Sequence, residues 1–246
     1  GAAAAVAARM IPLSLGTQTI GSNVRPASYC GLVGLKPTFG RISTRGVMAL
    51  SYTQDHVGLI ARNVEDVALG LSIVAGHDAH DPSSSRSPVP DYLSALTLRG
   101  PRRIAVLREF FERATPEVAD VTMQAVNRLA RGGAAVDEAK LPPTFQAVHA
   151  AAALITRSDT SSIHAERHAQ KADLYRPAIR AAIEVGMLIP GELYVRALRI
   201  RSQFRREMRP LIERYDVLLT PTTPGPRPAG MATGDAQFQT PWSLCG

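Results

Sequence analysis

The stretch GTQTIGSNVRPASYCGLVGLKPTFG, residues 16–40, decides how the rest of the chain is read. It sets one serine, Ser22, in a turn dense with Gly and Thr, with Pro26 four residues later. Amide hydrolysis needs a nucleophile, donors already aimed at the oxyanion that forms, and a base to move the hydroxyl proton. The loop Thr19-Ile20-Gly21-Ser22 supplies the first two. Gly21 has no side chain to obstruct a carbonyl, and successive backbone N–H groups in a turn form a nest for an anion. A short helix from Pro26 to Cys30, with Pro26 at its first position, would add a favourable dipole. The plainer reading is a loop before a helix, with Ser22 as its cap, since Gly/Ser/Thr turns are common. The residues alone leave both readings open.

Residues 16–40 closely resemble the amidase signature family, whose motif in one branch runs G-T-[DQ]-T-x-G-S-x-x-R-P-A-x-[FY]-C-G-x-x-G-x-K-P-[TS]-x-G. Every fixed position is met. The resemblance continues through Arg41–Gly46, Ser51–Gly58 and Ile60–Val67, and returns in AGHDAHDPSSSRSPVPDYL (75–93) and YDVLLTPTTP (215–224). It implies an α/β fold, a mixed β-sheet core wrapped by helices, and hydrolysis of a C–N amide bond by a Ser–cis-Ser–Lys triad without metal or organic cofactor. Ser22 sits where the family places its nucleophile. The backbone N–H groups of Thr19, Ile20, Gly21 and Ser22 sit where it places the oxyanion hole, and Thr17 where a residue supports the bridging serine. Arg25 has two readings. Its fork can bind a substrate carboxylate near the reacting carbonyl, or it pairs structurally with an acid or with helix carbonyls.

The departures concern what lies outside the motif. The family's bridging serine and catalytic lysine precede a segment like Gly1–Ala8, and none of Lys36, Lys140 and Lys171 matches the lysine. The chain opens on Gly in a helix already under way and stops without a polar tail. The expectation is therefore one amidase domain over residues 1–246, cut at both ends, with a variable helical substrate region at about 141–215. By itself such a chain is expected to be inactive, because a free hydroxyl is a weak nucleophile without an activating partner. Two alternatives stand beside the amidase. One is an amidotransferase A-type subunit that supplies ammonia for tRNA-linked amidation, which the Gln18 and Arg25 form of the motif disfavours. The other is a non-catalytic remnant or interaction module.

Composition fits a globular α/β chain: 45% of its 246 residues are hydrophobic. The net charge is +7, nearly all of the excess being arginine. The arginines are scattered, aromatics make up 5%, and no nucleic-acid motif is present, which disfavours nucleic acid; the partner that the resemblance implies is a small-molecule amide. Two cysteines, Cys30 and Cys245, form neither a disulfide framework nor a metal spacing, which favours a reducing, cytoplasmic setting. No run reaches transmembrane length, and a homodimer is left open.

Pattern and capping signals predict helices at Ala2–Arg9, Asn63–Val74, Pro116–Arg131, Thr144–Arg157, Ser161–Ala172 and Glu192–Tyr215. They predict strands at Leu13–Leu15, Val33–Leu35, Arg103–Leu107, Ala135–Glu138 and Asp216–Thr220. Arg103–Glu138 reads as a parallel crossover. Other clusters read as bland. Asp55-His56 beside Ser51 and Thr53 lacks a G-x-S-x-G elbow and is a structural turn. His77-Asp78 with His80-Asp81 is a solvated loop, not a metal site. His164 and His168 are surface residues. The arginines between 196 and 214 form a solvated helix face. Trp242 lies in a segment that the family runs close to the substrate channel, yet a lone aromatic is equally a core residue.

Overall fold

The computed structural model describes residues 1–97, 100, 102–230 and 232–246. Its elements run α1 (Ala2–Ala7), β1 (Leu13–Gln18), α2 (Val24–Tyr29), β2 (Val33–Leu35), β3 (His56–Ala61) and α3 (Val64–Val74). There follow β4 (Arg103–Leu107), α4 (Arg108–Phe111), α5 (Pro116–Arg131), β5 (Ala135–Ala139) and α6 (Phe145–Lys171). The chain closes with α7 (Pro177–Met187), α8 (Gly191–Arg214), β6 (Val217–Leu219) and α9 (Thr240–Cys245).

Among the described residues the strands form two three-stranded sheets. In the first, β3 is central and antiparallel to β1 and β2, with Gln18 opposite His56 and Leu35 opposite Leu59. In the second, β4 is central and parallel to β5 and β6. Both central strands are covered on two faces, so they read as continuous apolar runs. Along β3, Val57, Leu59 and Ala61 pack on Val67 and Leu71 of α3, while Ile60 packs on Ala3 and Val6 of α1 and Ala27 of α2. Along β4, Ala105 and Leu107 enter the largest core with Phe145, Ile155, Phe204 and Met208 of α6 and α8. Val106 faces the other way, onto Phe111 and Val126.

Asn23 is the polar pin of the first sheet. It is fully buried, and its Nδ2 donates to the carbonyls of Leu35 (2.9 Å) and Leu59 (3.2 Å), tying β2 and β3 to the start of α2. Gly16 and Gly58 make the room: a Cβ on either would overlap the Asn23 side chain.

Several expectations hold. Asn63 caps α3 by accepting from the Asp66 N–H at 2.7 Å, as its sequence signature predicts. β4, α5 and β5 form the expected parallel crossover. Others are corrected. Helix α1 stops at Ala7, two residues early, and Arg9 has φ +60°. β1 extends past Leu15 to Gln18 because β3 pairs with its whole length. Helix α2 begins at Val24, not Pro26, so Pro26 is its third residue; within the first turn its missing N–H costs no helical bond. The helices expected at 144–157 and 161–172 are one 27-residue helix, α6. The polar run Ser158–Ser161 stays helical because Thr160 Oγ1 donates back to Thr156 O and Asp159 finds partners outside the helix. Helices α7 and α9 and strand β3 had no sequence assignment. No described helix is long and apolar enough to cross a membrane.

Candidate active site

The antiparallel sheet ends where the Gly/Thr loop begins. Gln18, the last residue of β1, is 2% exposed and points its amide into the turn. Its Oε1 accepts from the N–H of Asn23 (3.1 Å) and of Val24 (3.0 Å). These are orphan donors of α2, so a side chain from the preceding strand, not Ser22 or Asn23, caps the helix. Its Nε2 donates to Ser243 Oγ at 3.1 Å, and Ser243 Oγ donates to the Ile20 carbonyl at 2.6 Å. A second tether sits at the loop's start, where Thr19 Oγ1 donates to Asp55 Oδ1 at 2.5 Å. Gln239 closes the far side. Its side chain lies against Gly21, where a Cβ would collide with it, and its Nε2 donates to Thr222 O.

The resulting loop is held by side chains while its own donors stay free. Among the described residues, the N–H groups of Ile20, Gly21 and Ser22 bond no acceptor. Ser22 is exposed and its hydroxyl has no partner there either. Thr17 is exposed in β1 opposite Val57. Lys36 Nζ is committed elsewhere, donating to Pro37 O (3.1 Å) and His56 Nε2 (3.0 Å).

Arg25, in the first turn of α2, is 8% exposed. Its guanidinium makes no hydrogen bond or ion pair with the described residues, and its enclosed Nε is unpartnered. Burial lowers its pKa, while the fields of Tyr29 and Asp235 act the other way. The ion pair that a purely structural arginine would need is not formed among these residues.

Asp55 and His56 do not make a triad with Ser51. His56 donates from Nδ1 to Gln54 O at 2.6 Å and accepts from Lys36 at Nε2. Burial, and then the Lys36 charge, push its pKa down to about 4; burial brings Lys36 to about 8. Asp55 Oδ2 accepts from the N–H of Leu50 (2.7 Å) and Ser51 (3.0 Å).

The other candidates resolve separately. Asp78 accepts from Ser43, and Asp81 from the N–H groups of Thr44 and Ser83, which shapes the loop as a set of turns. His164 is not a surface residue. It is 5% exposed, between Tyr175 Oη and Ala49 O, both at 3.0 Å, because the loop before β3 folds over α6. Along α8 most arginines are exposed, but Arg201 turns inward to donate to Thr53 O at 2.9 Å. Trp242 stacks on Phe110, ring centroids 5.8 Å apart, as a partly buried core residue.

A family model described as Amidase matches residues 1–241. The chain belongs to the amidase signature family. As a member it is 37% identical to an amidase of Pseudomonas putida, over 91% of this chain and 48% of that protein. It is also 37% identical to the A-type subunit of the glutamyl-tRNA(Gln) amidotransferase of Moorella thermoacetica, over 91% of this chain and 51% of that protein. The amidase-family chain thus spans about half the length of the curated relatives it matches. Among solved structures it resembles an inhibitor-bound vestigial protein complex that reveals the origins of an s-triazine catabolic enzyme. The TM-score is 0.91 with 32% identity, covering 100% of this chain and 56% of that one. The family assignment and fold class expected from residues 16–40 are borne out.

In the sequence Gln18 marks only a branch of the motif, and nothing beside Ser243, Gln239 or Asp55 ties them to the loop. A glutamine closing a strand shortly before a Gly-Ser turn was the available signal for the cap. Replacing Gln18 by Leu leaves two helix N–H groups and the Ser243 hydroxyl without it. The chain is expected to lose about 2–4 kcal/mol of stability, read from urea denaturation. The His56 pKa lies below its ordinary 6.5. The unfolded chain therefore binds the proton first, and stability falls as pH drops from about 6.5 through about 4. The loss is on the order of 2–3 kcal/mol. His56→Gln should flatten the urea midpoint against pH in that window; an unchanged slope would assign the effect to other groups.

Proposed function

We propose that the protein to which this chain belongs hydrolyses the C–N bond of a small carboxamide through an acyl-enzyme on Ser22. The observation that carries the reading is the exposed Ser22 hydroxyl at the end of a tethered loop: among the described residues, neither it nor the N–H groups of Ile20, Gly21 and Ser22 have a partner. Ser22 Oγ attacks the carbonyl carbon. The carbonyl oxygen, now an oxyanion, takes the N–H groups of Thr19, Ile20, Gly21 and Ser22, donors that need no reorganisation as charge develops. Gly21 keeps the loop in place because a Cβ there would collide with Gln239. Collapse expels ammonia or an amine, and water releases the acid. The proton of Ser22 passes through the bridging serine and lysine that the resemblance places before residue 1, with Thr17 as support, and on to the leaving nitrogen. This chemistry calls on no cofactor. Residues 1–246 are taken as part of one amidase domain. The two free thiols, Cys30 and Cys245, fit the cytoplasmic setting.

The Pseudomonas amidase supports hydrolysis of a free amide. The Moorella protein, at the same identity, supports the second reading, a component of an ammonia-supplying amidotransferase. The Gln18 and Arg25 form of the motif favours the first. Arg25 supports an anionic amide as substrate, since a buried guanidinium without an ion pair among the described residues suits a carboxylate.

In the whole protein, Ser22→Ala is expected to lower amide turnover at least about a thousandfold, measured as ammonia release. Retained turnover would overturn the acyl-enzyme. Arg25→Lys is expected to raise KM about tenfold or more for amides carrying a carboxylate and to spare neutral ones. An equal loss on both classes would return Arg25 to a structural role.

A further inference from the structure

The cluster around Asp55, bland as a triad, is connected to the nucleophile loop in another way. Asp55 is 9% exposed and spends both oxygens on backbone-shaping bonds. Oδ1 takes the hydroxyl of Thr19 at 2.5 Å, and Oδ2 takes the N–H groups of Leu50 and Ser51. The loop that carries Leu50 and Ser51 is anchored in turn. Ser51 Oγ (2.5 Å) and Thr53 Oγ1 (2.9 Å) donate to Asp159 Oδ2 on α6, and Tyr194 Oη of α8 donates to Asp159 Oδ1 at 2.9 Å. Gln54 Nε2 bonds Thr156 of α6, and Arg201 of α8 bonds Thr53 O. A run of side-chain bonds thus leads from Thr19 through Asp55, Ser51 and Asp159 to Tyr194.

Thr19 is the first of the four proposed oxyanion donors. The direction of its N–H is set by the peptide that joins it to Gln18, and its side chain is the handle by which that peptide is held. We propose that Asp55 is a positioning residue of the active site. By fixing the Thr19 hydroxyl, it holds the first donor of the oxyanion hole in register with Ser22, and Asp159 transmits that hold from helices α6 and α8. The proposal rests on the Ser22 reading. It adds that the oxyanion loop is aligned from the helical half of the chain, not only by Gln18 and Ser243.

The test is made in the whole protein with Thr19→Val, which keeps the shape of the side chain and removes only its donor, beside Thr19→Ser, which restores the donor. Misalignment of a preorganised donor affects the chemical step and not substrate binding. Thr19→Val is expected to lower kcat about 10- to 100-fold with KM within about threefold, and Thr19→Ser to stay within about threefold of the original kcat. Asp55→Asn, which cannot accept at all three contacts, should lower kcat at least about tenfold in the same pattern. An unchanged kcat in Thr19→Val, an equal loss in Thr19→Ser, or a loss confined to KM would each overturn the proposal. Ser22→Ala separates the two layers. If it is inactive while Thr19→Val is unaffected, only the positioning role falls; if it is active, the catalytic reading and this proposal fall together.

Discussion

A buried amide, that of Gln18, holds together parts of the molecule that have no other reason to meet. Its oxygen closes the amino end of α2, and its nitrogen reaches the hydroxyl of Ser243, which passes the connection to the carbonyl of Ile20. The constraint behind this arrangement is general. A loop that offers backbone N–H groups to a substrate cannot spend them on its own structure, yet a buried polar loop without partners is costly. Here its order comes from side chains outside it: Gln18 and Ser243 at its middle, Asp55 at its start, Asn23 at its end. The glycines at 16 and 58 belong to the same solution, since side chains there would displace Asn23 from the two strands it joins.

The two sheets divide the remaining work. The antiparallel sheet, with α1, α2 and α3 against it, places the loop. The parallel sheet and the long helices α6 and α8 make the larger core, and Asp159 and Arg201 carry polar contacts from that core back to the segment before β3. Between the halves sits the Lys36–His56 pair, in which burial first and the Lys36 charge second keep the imidazole neutral.

What the sequence disclosed was local. Asn63 before Glu65 and Asp66, or Pro116 opening a helix that Gly132 and Gly133 close, are signals contained within a few residues, and they marked α3 and the β4–α5–β5 crossover. Residues 16–40 carried the family because their glycines and Ser22 answer to one dense geometry. The parts that stayed hidden depend on distance along the chain. Gln18 and Ser243 are 225 positions apart, and Ser51 and Asp159 are 108 apart. Nothing beside Asp159 announces that Ser51, Thr53 and Tyr194 will satisfy its carboxylate, so Ser158–Thr160 read as a break between helices. Tyr175 and Ala49 likewise bury a histidine that its neighbours describe as exposed.

The span of the Gln18–Ser243 contact bears on how the molecule is born. Synthesis releases Ser22 from the ribosome long before residues 239–243, and closing so large a loop is among the slow events of folding. For most of that interval the loop has only its nearer tethers, Asp55 and Gln18. The Ser243 and Gln239 contacts arrive only when α9 docks, so the loop gains its last tethers at the end of synthesis.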